Sequence, residues 1–490
     1  MELKARPHRV RWSRGSGSVS LGVPLGEGPK SPAPAVSAAR PKGLRGKLTH
    51  YRSRLGKVSR VIIAHNPVGP ADDPSTSDVL AQVELVAGAL AELGIAATRL
   101  GVADWRIWED LQRLAAQGRG GPGGPGSRGT AGTAGLAPGT VVFNLVEAPP
   151  GMPGVHPATA AALELLDLPF SGSSAAALWL STDKLATRAL VAAEGVPVPA
   201  GGRLDHLGDP GDNGRDGSDE VNAGDGRAPG GAEVLDRVPP PWILKPAYED
   251  ASLGLDGDAV CATRAAALAR AAELLRRFPG QPLVIERYLP GRELNVSLLA
   301  APPRDQRDQR DPRQPPMVLP VAEIEFVDYP PGMPRIVGYE AKWQPDSFAY
   351  THTVRRFPSE AAEAPLLAEA RRLALAAWRA CGLSGYGRVD LRLDERGVPH
   401  VLEVNANPCL AADAGFMAAA EQAGLSAAEV ISRILADAVA RHRADRRERV
   451  DRQERVDRRP RVDHVDRVDR RERRQDAPAP SLPLAGGVSF

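Results

Sequence analysis

The chain has 490 residues, a hydrophobic fraction of 42% and a net charge of +2 at pH 7. That length allows two to four domains with a large core. The near-neutral charge supplies no overall field for nucleic acid or an anionic membrane. Three widely spaced cysteines (Cys261, Cys381, Cys409) fit a reduced cytosolic protein better than a disulfide framework or a zinc site.

No apolar run approaches the roughly 20 residues that span a bilayer. The basic N-terminus (Lys4, Arg6, Arg9, Arg11, Arg14) lacks the apolar stretch of a secretory signal. A cytoplasmic location is therefore expected. Aromatics make up only 4%, against 50 glycines and 46 prolines, which predicts a globular body interrupted by unstructured inserts.

Residues 1–58 are rich in Arg, Gly, Ser and Pro without periodicity, and are expected to form a disordered basic segment. Order is predicted from a strand at Val61 to Asn66. A helix follows from Ser77 to Leu93, with Val79, Leu80, Val83, Val86, Ala87 and Leu90 at helical spacing and Gly94 as its stop. Further strands are predicted at Ile95 to Leu100 and Val141 to Leu145, so this part reads as an α/β domain with a mainly parallel sheet. Segments 118–139, 205–238 and 302–316 are Gly/Pro-, Gly/Asp- and Arg-Asp-Gln-rich and are expected to be surface inserts. After residue 445 the chain repeats Arg-Val-Asp-Arg units. Interleaved charge signs there favour a solvated or loosely helical low-complexity tail over an RNA-binding arm.

The most informative stretch begins with a predicted helix, Ala361 to Cys381, stopped by Gly382. Two strand-like runs follow, Arg388 to Leu393 and Val398 to Asn405, joined by the turn tetrapeptide Asp394-Glu395-Arg396-Gly397. With that loop, Leu393 would pair with Val398, Asp390 with Val401 and Arg388 with Glu403. Alternation puts Val389, Leu391, Leu393, Val398, His400, Leu402 and Val404 on one face. The other face gathers Arg388, Asp390, Arg392, Glu403 and Asn405. Two carboxylates and an amide there suit a hard cation such as Mg²⁺, and Arg388 suits a neighbouring anion. A solvent-facing hairpin with cross-strand charge pairs is the competing reading.

Arg388-Val389-Asp390 followed by Glu403-Val404-Asn405-Ala406-Asn407-Pro408 resembles the C-terminal signature of D-alanine–D-alanine ligases in the ATP-grasp superfamily. Other segments match in order: Phe170 to Ser173 with Asp183-Lys184, Gly195-Val196-Pro197-Val198-Pro199, Trp242 to Pro246, and Glu286 to Leu289 with Glu293. The resemblance covers residues 60–440 outside the inserts. It implies an α/β ATP-grasp fold behind an N-terminal pre-ATP-grasp domain. The expected divisions are a substrate domain at 59–173, a central subdomain at 174–300, a C-terminal subdomain with the metal site at 301–445, and a charged tail at 446–490.

The implied function is an ADP-forming ligase that joins a carboxylate to an amine through an acyl phosphate, as in cell-wall peptide synthesis. The resemblance implies ATP as cofactor, with Mg²⁺, or Mn²⁺ in its place, on Asp390, Glu403 and Asn405. Lys184 and Lys245 would contact phosphates and the adenine side, and Lys342 the terminal phosphates. Glu286 to Leu289 would form the adenine hinge, Glu293 would meet the ribose, and Ser252 belongs to a closing loop. Arg388 would stabilise the oxyanion. Partners are expected to be small amino acids or carboxylates, with no nucleic acid or membrane, and a homodimer is compatible with this reading.

The amino-acid half departs from the family. The His-Gly segment expected after Phe143-Asn144 is absent, and the loop Asn66 to Pro70 lacks a glutamate. Ala251, Trp343, Cys409 and Ala414 stand where serine, tyrosine, glycine and serine are usual. Glu147 is the substitute anchor for a substrate amine, against a strand-end surface charge. Asn407 and Cys409 would line the substrate pocket, Cys409 as a small wall residue rather than a nucleophile. These departures predict that D-alanine alone serves poorly and that one partner differs in size or charge. Other amino-acid or carboxylate substrates, and a nucleotide-binding regulatory protein without ligase activity, are the alternatives.

Overall fold

The structure, a computed structural model, describes residues 52–53, 55–69, 78–103, 106–117, 136–148, 152–207, 231–301 and 314–457. The first layer contains β1 (Arg60–His65), α1 (Val79–Glu92), β2 (Ala96–Gly101), α2 (Ile107–Gln117), β3 (Thr140–Leu145) and α3 (Val155–Leu165). Its three strands are parallel in the order β2-β1-β3. β3 is buried along its whole length, as a continuous Val-Val-Phe run in a parallel sheet requires. α1 ends where Gly94 takes φ +66° and the Ile95 amide donates back to the Leu90 carbonyl at 2.9 Å.

The second layer contains α4 (Ala175–Thr182), α5 (Lys184–Ala193), β4 (Gly201–Leu204), α6 (Val234–Arg237), β5 (Trp242–Pro246), β6 (Val260–Cys261), α7 (Arg264–Arg277) and β7 (Leu283–Arg287). Its antiparallel sheet runs β4-β7-β5-β6. Ala267, Ala271 and Leu274 of α7 pack on Leu244, Leu283 and Ile285, as the helical spacing of those residues dictates.

The third layer contains β8 (Glu293–Leu299), β9 (Met317–Val318), β10 (Ala322–Phe326), α8 (Tyr339–Trp343), α9 (Phe348–His352), β11 (Thr353–Arg356), α10 (Ala364–Ala380), β12 (Tyr386–Leu393), β13 (Pro399–Asn405), α11 (Gly415–Gln422) and α12 (Ala427–Asp457). The sheet order is β11-β10-β8-β12-β13, with β9 on β8. α10 covers one face with Leu367, Leu373, Ala377 and Trp378.

Several expectations change. The hairpin register is Leu393 with Pro399, Asp390 with Glu403 and Arg388 with Asn405. The Asp394 carboxylate accepts from the Arg396 and Val398 amides at 2.9 and 2.8 Å, so the turn consumes Val398 and pairing starts one residue later. A bulge at Leu402 then shifts the strand again. Val401 and Val404 are therefore the buried pair, whereas His400 and Leu402, expected on the core face, are half-exposed.

The boundary expected at residue 300 moves to before Glu293, because β8 pairs with β12 in the third sheet. Leu55 and Val58 already lie in the core beneath α1, ahead of the expected start. Val234, Leu235 and Val238, at the end of the expected 205–238 insert, are buried. α12 continues to Asp457, into the expected tail. The expectations for 1–51, 118–135, 208–230, 302–313 and 458–490 fall outside the described residues. Among the described residues no helix is long and apolar enough to cross a membrane.

The link from the first layer to the second, Phe170 to Ser173, is held from two sides. Arg441 of α12 donates to the Gly172 and Phe170 carbonyls at 2.6 and 3.1 Å and pairs with Asp437 at 2.8 Å. The Ser384 amide donates to Ser173 Oγ at 3.1 Å, and Gly385, at φ +72°, approaches so closely that a Cβ would sit 3.1 Å from the Gly172 backbone. By contrast, Arg446 and Arg449 reach Asp167 through more than half-exposed side chains. Arg441→Ala, which leaves the buried Asp437 without its guanidinium, should cost about 3 kcal/mol in urea unfolding. Deleting residues 446–490 should change stability by about 0.5 kcal/mol or less in the same measurement.

Candidate functional site

Asp183 caps α5, its carboxylate accepting from the Leu185 and Ala186 amides at 2.9 and 3.0 Å. This makes Lys184 the first helical residue and aims it into the cleft. Its ammonium donates to the Glu249 carbonyl oxygen and lies 3.7 Å from both Asp250 Oδ1 and Glu403 Oε1. On the adjacent strands β5 and β7, Ile243 pairs with Glu286, so Lys245 and Glu286 share a face as diagonal neighbours. Their side chains meet at 2.9 Å, and Arg188, one turn beyond Lys184, reaches the other Glu286 oxygen at 3.1 Å. At the end of β7 and just past it, the Arg287 and Tyr288 amides donate to the Ala200 and Pro241 carbonyls at 2.7 and 2.8 Å, which makes the buried Leu289 the next backbone position along.

The hairpin brings together Arg388, Asp390 and Asn405. Arg388 grips Asp390 through two bonds of 2.7 and 2.8 Å, and Asn405 Nδ2 and Asn295 Nδ2 donate to the same carboxylate at 3.0 and 2.9 Å. Burial by itself would lower the Arg388 pKa, but the charge and hydrogen bonds of Asp390 raise it. Glu403 is half-buried, and although that desolvation raises its pKa, Lys184, Lys245, Lys342 and Arg388 hold it below the usual carboxylate range. Lys342 moves the other way: burial and then Arg388 depress its pKa against Glu403, Asp390 and Glu293. Glu293 pairs with Arg392 at 3.0 Å, yet burial keeps its pKa raised. Ser252 donates to the Val337 carbonyl at 2.8 Å, so its hydroxyl is engaged by a neighbouring segment.

At the other end of the cleft lie the carboxyl ends of β1 and β3, where ligands enter open α/β sheets. Asn66 fixes the Glu147 backbone from both sides, donating to its carbonyl at 3.0 Å and accepting from its amide at 2.7 Å. The Glu147 side chain accepts from Gln82 at 2.9 Å, and Gln82 in turn accepts from the Leu410 amide at 3.0 Å. Burial pushes the Glu147 pKa up to about 7, helped by Asp78 and Asp250 and opposed by Gln82. Cys409 donates to Asp78 at 2.9 Å, and burial followed by that carboxylate raises its thiol pKa, which leaves it unactivated. Asn407 accepts from the buried Tyr386 hydroxyl.

Among the described residues no three or more His, Cys, Asp and Glu side chains cluster to hold a metal alone. A cation here would draw on two carboxylates, the Asn405 amide oxygen and nucleotide phosphates, the hard-oxygen donor set that Mg²⁺ takes. Asp390 already accepts four hydrogen bonds, so a cation on it displaces a donor. The donor types fit the ion.

Sequence reasoning missed Arg188, Asn295, Gln82 and Asp78. Arg188 follows Lys184 by four residues on one helix and Asn295 follows Glu293 by two on one strand, so periodicity carried both signals. Gln82 lies on a buried helix face and is reached by Leu410 only through the tertiary fold.

A family model described as D-ala D-ala ligase C-terminus matches residues 230–436. A D-alanine–D-alanine ligase of Bordetella pertussis is 31% identical over 289 residues, covering 59% of this chain and 75% of that protein. An uncharacterized protein of Sinorhizobium fredii, y4sG, is 29% identical over 297 residues, 60% of this chain and 73% of that one. Among solved structures, D-alanine–D-alanine ligase from Bacillus anthracis complexed with ATP superposes with a TM-score of 0.53 at 16% identity, covering 79% of this chain and 99% of that one. At that identity the likeness establishes the fold, which is ATP-grasp. With the sequence relatives added, the chain belongs to the D-alanine–D-alanine ligase family and is an ATP-dependent, ADP-forming ligase.

Proposed function

We propose that the chain converts one amino acid to an acyl phosphate with ATP and joins it to the amine of a second, D-alanine being the substrate that its relatives' names put first. The observation that carries this reading is the convergence of Lys184, Lys342, Arg388, Asp390 and Glu403 on one cleft. A transferring phosphoryl group needs fixed positive charge around its oxygens, and these side chains supply it without reorganisation. Lys184 and Lys245 serve the nucleotide phosphates and the adenine side, Leu289 offers hinge backbone to the base, and Glu293 faces the ribose.

Lys342 serves the terminal phosphates. Its depressed pKa arises from burial beside Arg388, so added negative charge favours its charged form. Asp390, Glu403 and the Asn405 oxygen would hold Mg²⁺, which supplies charge neutralisation on the phosphates when bound. Arg388 is set beside the reacting carbonyl to stabilise the tetrahedral oxyanion after amine attack. Glu147 anchors the substrate ammonium, and Asn407 and Cys409 line that end of the pocket. A soluble cytoplasmic setting matches the small-molecule substrates.

The test is ADP and dipeptide formation by the full chain with ATP, Mg²⁺ and millimolar D-alanine. D-Alanyl-D-alanine formation supports the ligase reading and overturns the expectation that D-alanine alone serves poorly. Phosphate release only when a second, different amino acid is added would mean that the departures at Ala251, Trp343 and Ala414 govern the partner. Asp390→Ala and Glu403→Ala should each abolish amine-dependent ADP release with the fold intact by circular dichroism. Near-native turnover of either at saturating Mg²⁺ would remove the hairpin from the site.

Glu147 also gives a pH dependence. Its folded pKa, about 7, lies above the ordinary carboxylate value, so the native state binds more protons than the unfolded chain between about 4.5 and 7. Its contribution to stability is therefore lost as pH rises through 7, and Glu147→Gln should flatten that part of the profile in denaturant titrations. The KM for the amino acid should fall as Glu147 ionises between pH 6 and 8. Glu147→Gln should raise that KM more than the KM for ATP.

A further inference from the structure

The link from β7 to β8, Tyr288 to Glu293, is held at both ends by one side chain. Arg392 stands directly opposite Glu293 where β12 pairs with β8. Its Nη1 donates to Glu293 Oε2 at 3.0 Å, and its Nη2 donates to the Tyr288 hydroxyl at 3.2 Å and to the Arg335 carbonyl. The guanidinium also lies 5.1 Å from the centre of the Tyr288 ring and 5.5 Å from that of Phe326. Between the two ends, the Gly291 amide donates to the Leu393 carbonyl at 3.1 Å, and the Leu393 amide to the Arg292 carbonyl at 2.9 Å. The backbones are so close there that a Cβ on Gly291 would sit 2.4 Å from the Leu393 oxygen.

Stability is a poor reason for this arginine. The residue is 3% exposed, and its Nε is buried with no hydrogen-bond partner among the described residues. Apolar side chains of similar volume often serve a core as well as a buried ion pair does. What the guanidinium adds is geometry, because its planar fork reaches three acceptors at once. Two of these, Tyr288 and Glu293, bracket the hinge position Leu289. Among the described residues Arg392 is the one hydrogen-bond donor to the Glu293 side chain, and it engages Oε2 alone. The other oxygen keeps its lone pairs for a ligand hydroxyl.

We propose that Arg392 is a positioning residue for nucleotide recognition, holding the Glu293 carboxylate at a fixed distance from the hinge at Leu289 so that ribose and base are met together. The inference rests on the reading of Glu293 as the ribose acceptor.

The test is isothermal titration of the full chain, with Mg²⁺, against ADP and against 2′,3′-dideoxy-ADP. One hydrogen bond to a charged acceptor should make the wild type prefer ADP by about 10- to 100-fold. Arg392→Met should cut that preference to about two-fold, while affinity for the dideoxy nucleotide moves by about three-fold or less. Arg392→Lys keeps the charge but offers one ammonium to three acceptors, and should retain less than about a third of the preference. Full preference in Arg392→Lys, or equal weakening of both nucleotides in the two variants, would overturn the clamp. Glu293→Gln then tells the two claims apart. Loss of the preference in that variant alone would leave the ribose reading standing without the clamp. A preference that survives it, or that the wild type never shows, would remove both. Binding needs no turnover, so a preference lost at Arg392 in a chain that makes no dipeptide would uphold the clamp and reject the substrate reading instead.

Discussion

Buried charge around the nucleotide end of the cleft is tolerable only because Asp390, Glu286 and Glu293 each have a cation within reach. Moving an ion from water into a protein costs several kcal/mol unless a partner and hydrogen bonds replace its hydration. Arg388 with Asp390, Lys245 with Glu286, and Arg392 with Glu293 provide that compensation at 2.7 to 3.0 Å. The pairs leave Lys342 in a different position, with its ammonium penalised by burial and by Arg388. An anion bound beside Lys342 would favour its charged form.

Backbone geometry sets these partnerships. The Asp394 turn and the bulge at Leu402 shift β13 until Glu403 stands opposite Asp390 and Asn405 opposite Arg388. β8 lies on the other side of β12 and delivers Asn295 to Asp390. Arg441 and Ser384 fix the Phe170 to Ser173 link, so the layer bearing Glu147 and the layer bearing Asp390 are held by the same short stretch of chain.

Three of the departures from the family, Ala251, Trp343 and Cys409, fall in two groups in space. Trp343 donates its indole N–H to the Ala251 carbonyl at 3.0 Å. Cys409, Asp78, Gln82 and Glu147 form a second continuous chain of contacts, from α1 to the turn after β13. Trp343 and Cys409 therefore each have a hydrogen-bond partner within their group.

Much of this was legible in the sequence. Helical spacing located α1 and α10, apolar runs located β1, β3 and β5, and the motifs around Lys184, Lys245, Asp390 and Glu403 identified the family and its chemistry. Those signals are local: periodicity, turn residues and short motifs are fixed by neighbours along the chain. The hairpin register was not legible, because one turn residue and one bulge each flip the faces of a strand and neither changes composition. The contacts of Arg188 with Glu286, Gln82 with Leu410 and Trp343 with Ala251 join residues 98, 328 and 92 positions apart. Local signals along the chain specify α1, α10, β1, β3 and β5 and the nucleotide chemistry. Which side chains share the cleft is set by tertiary packing alone, since those distances do not exist until the three layers meet.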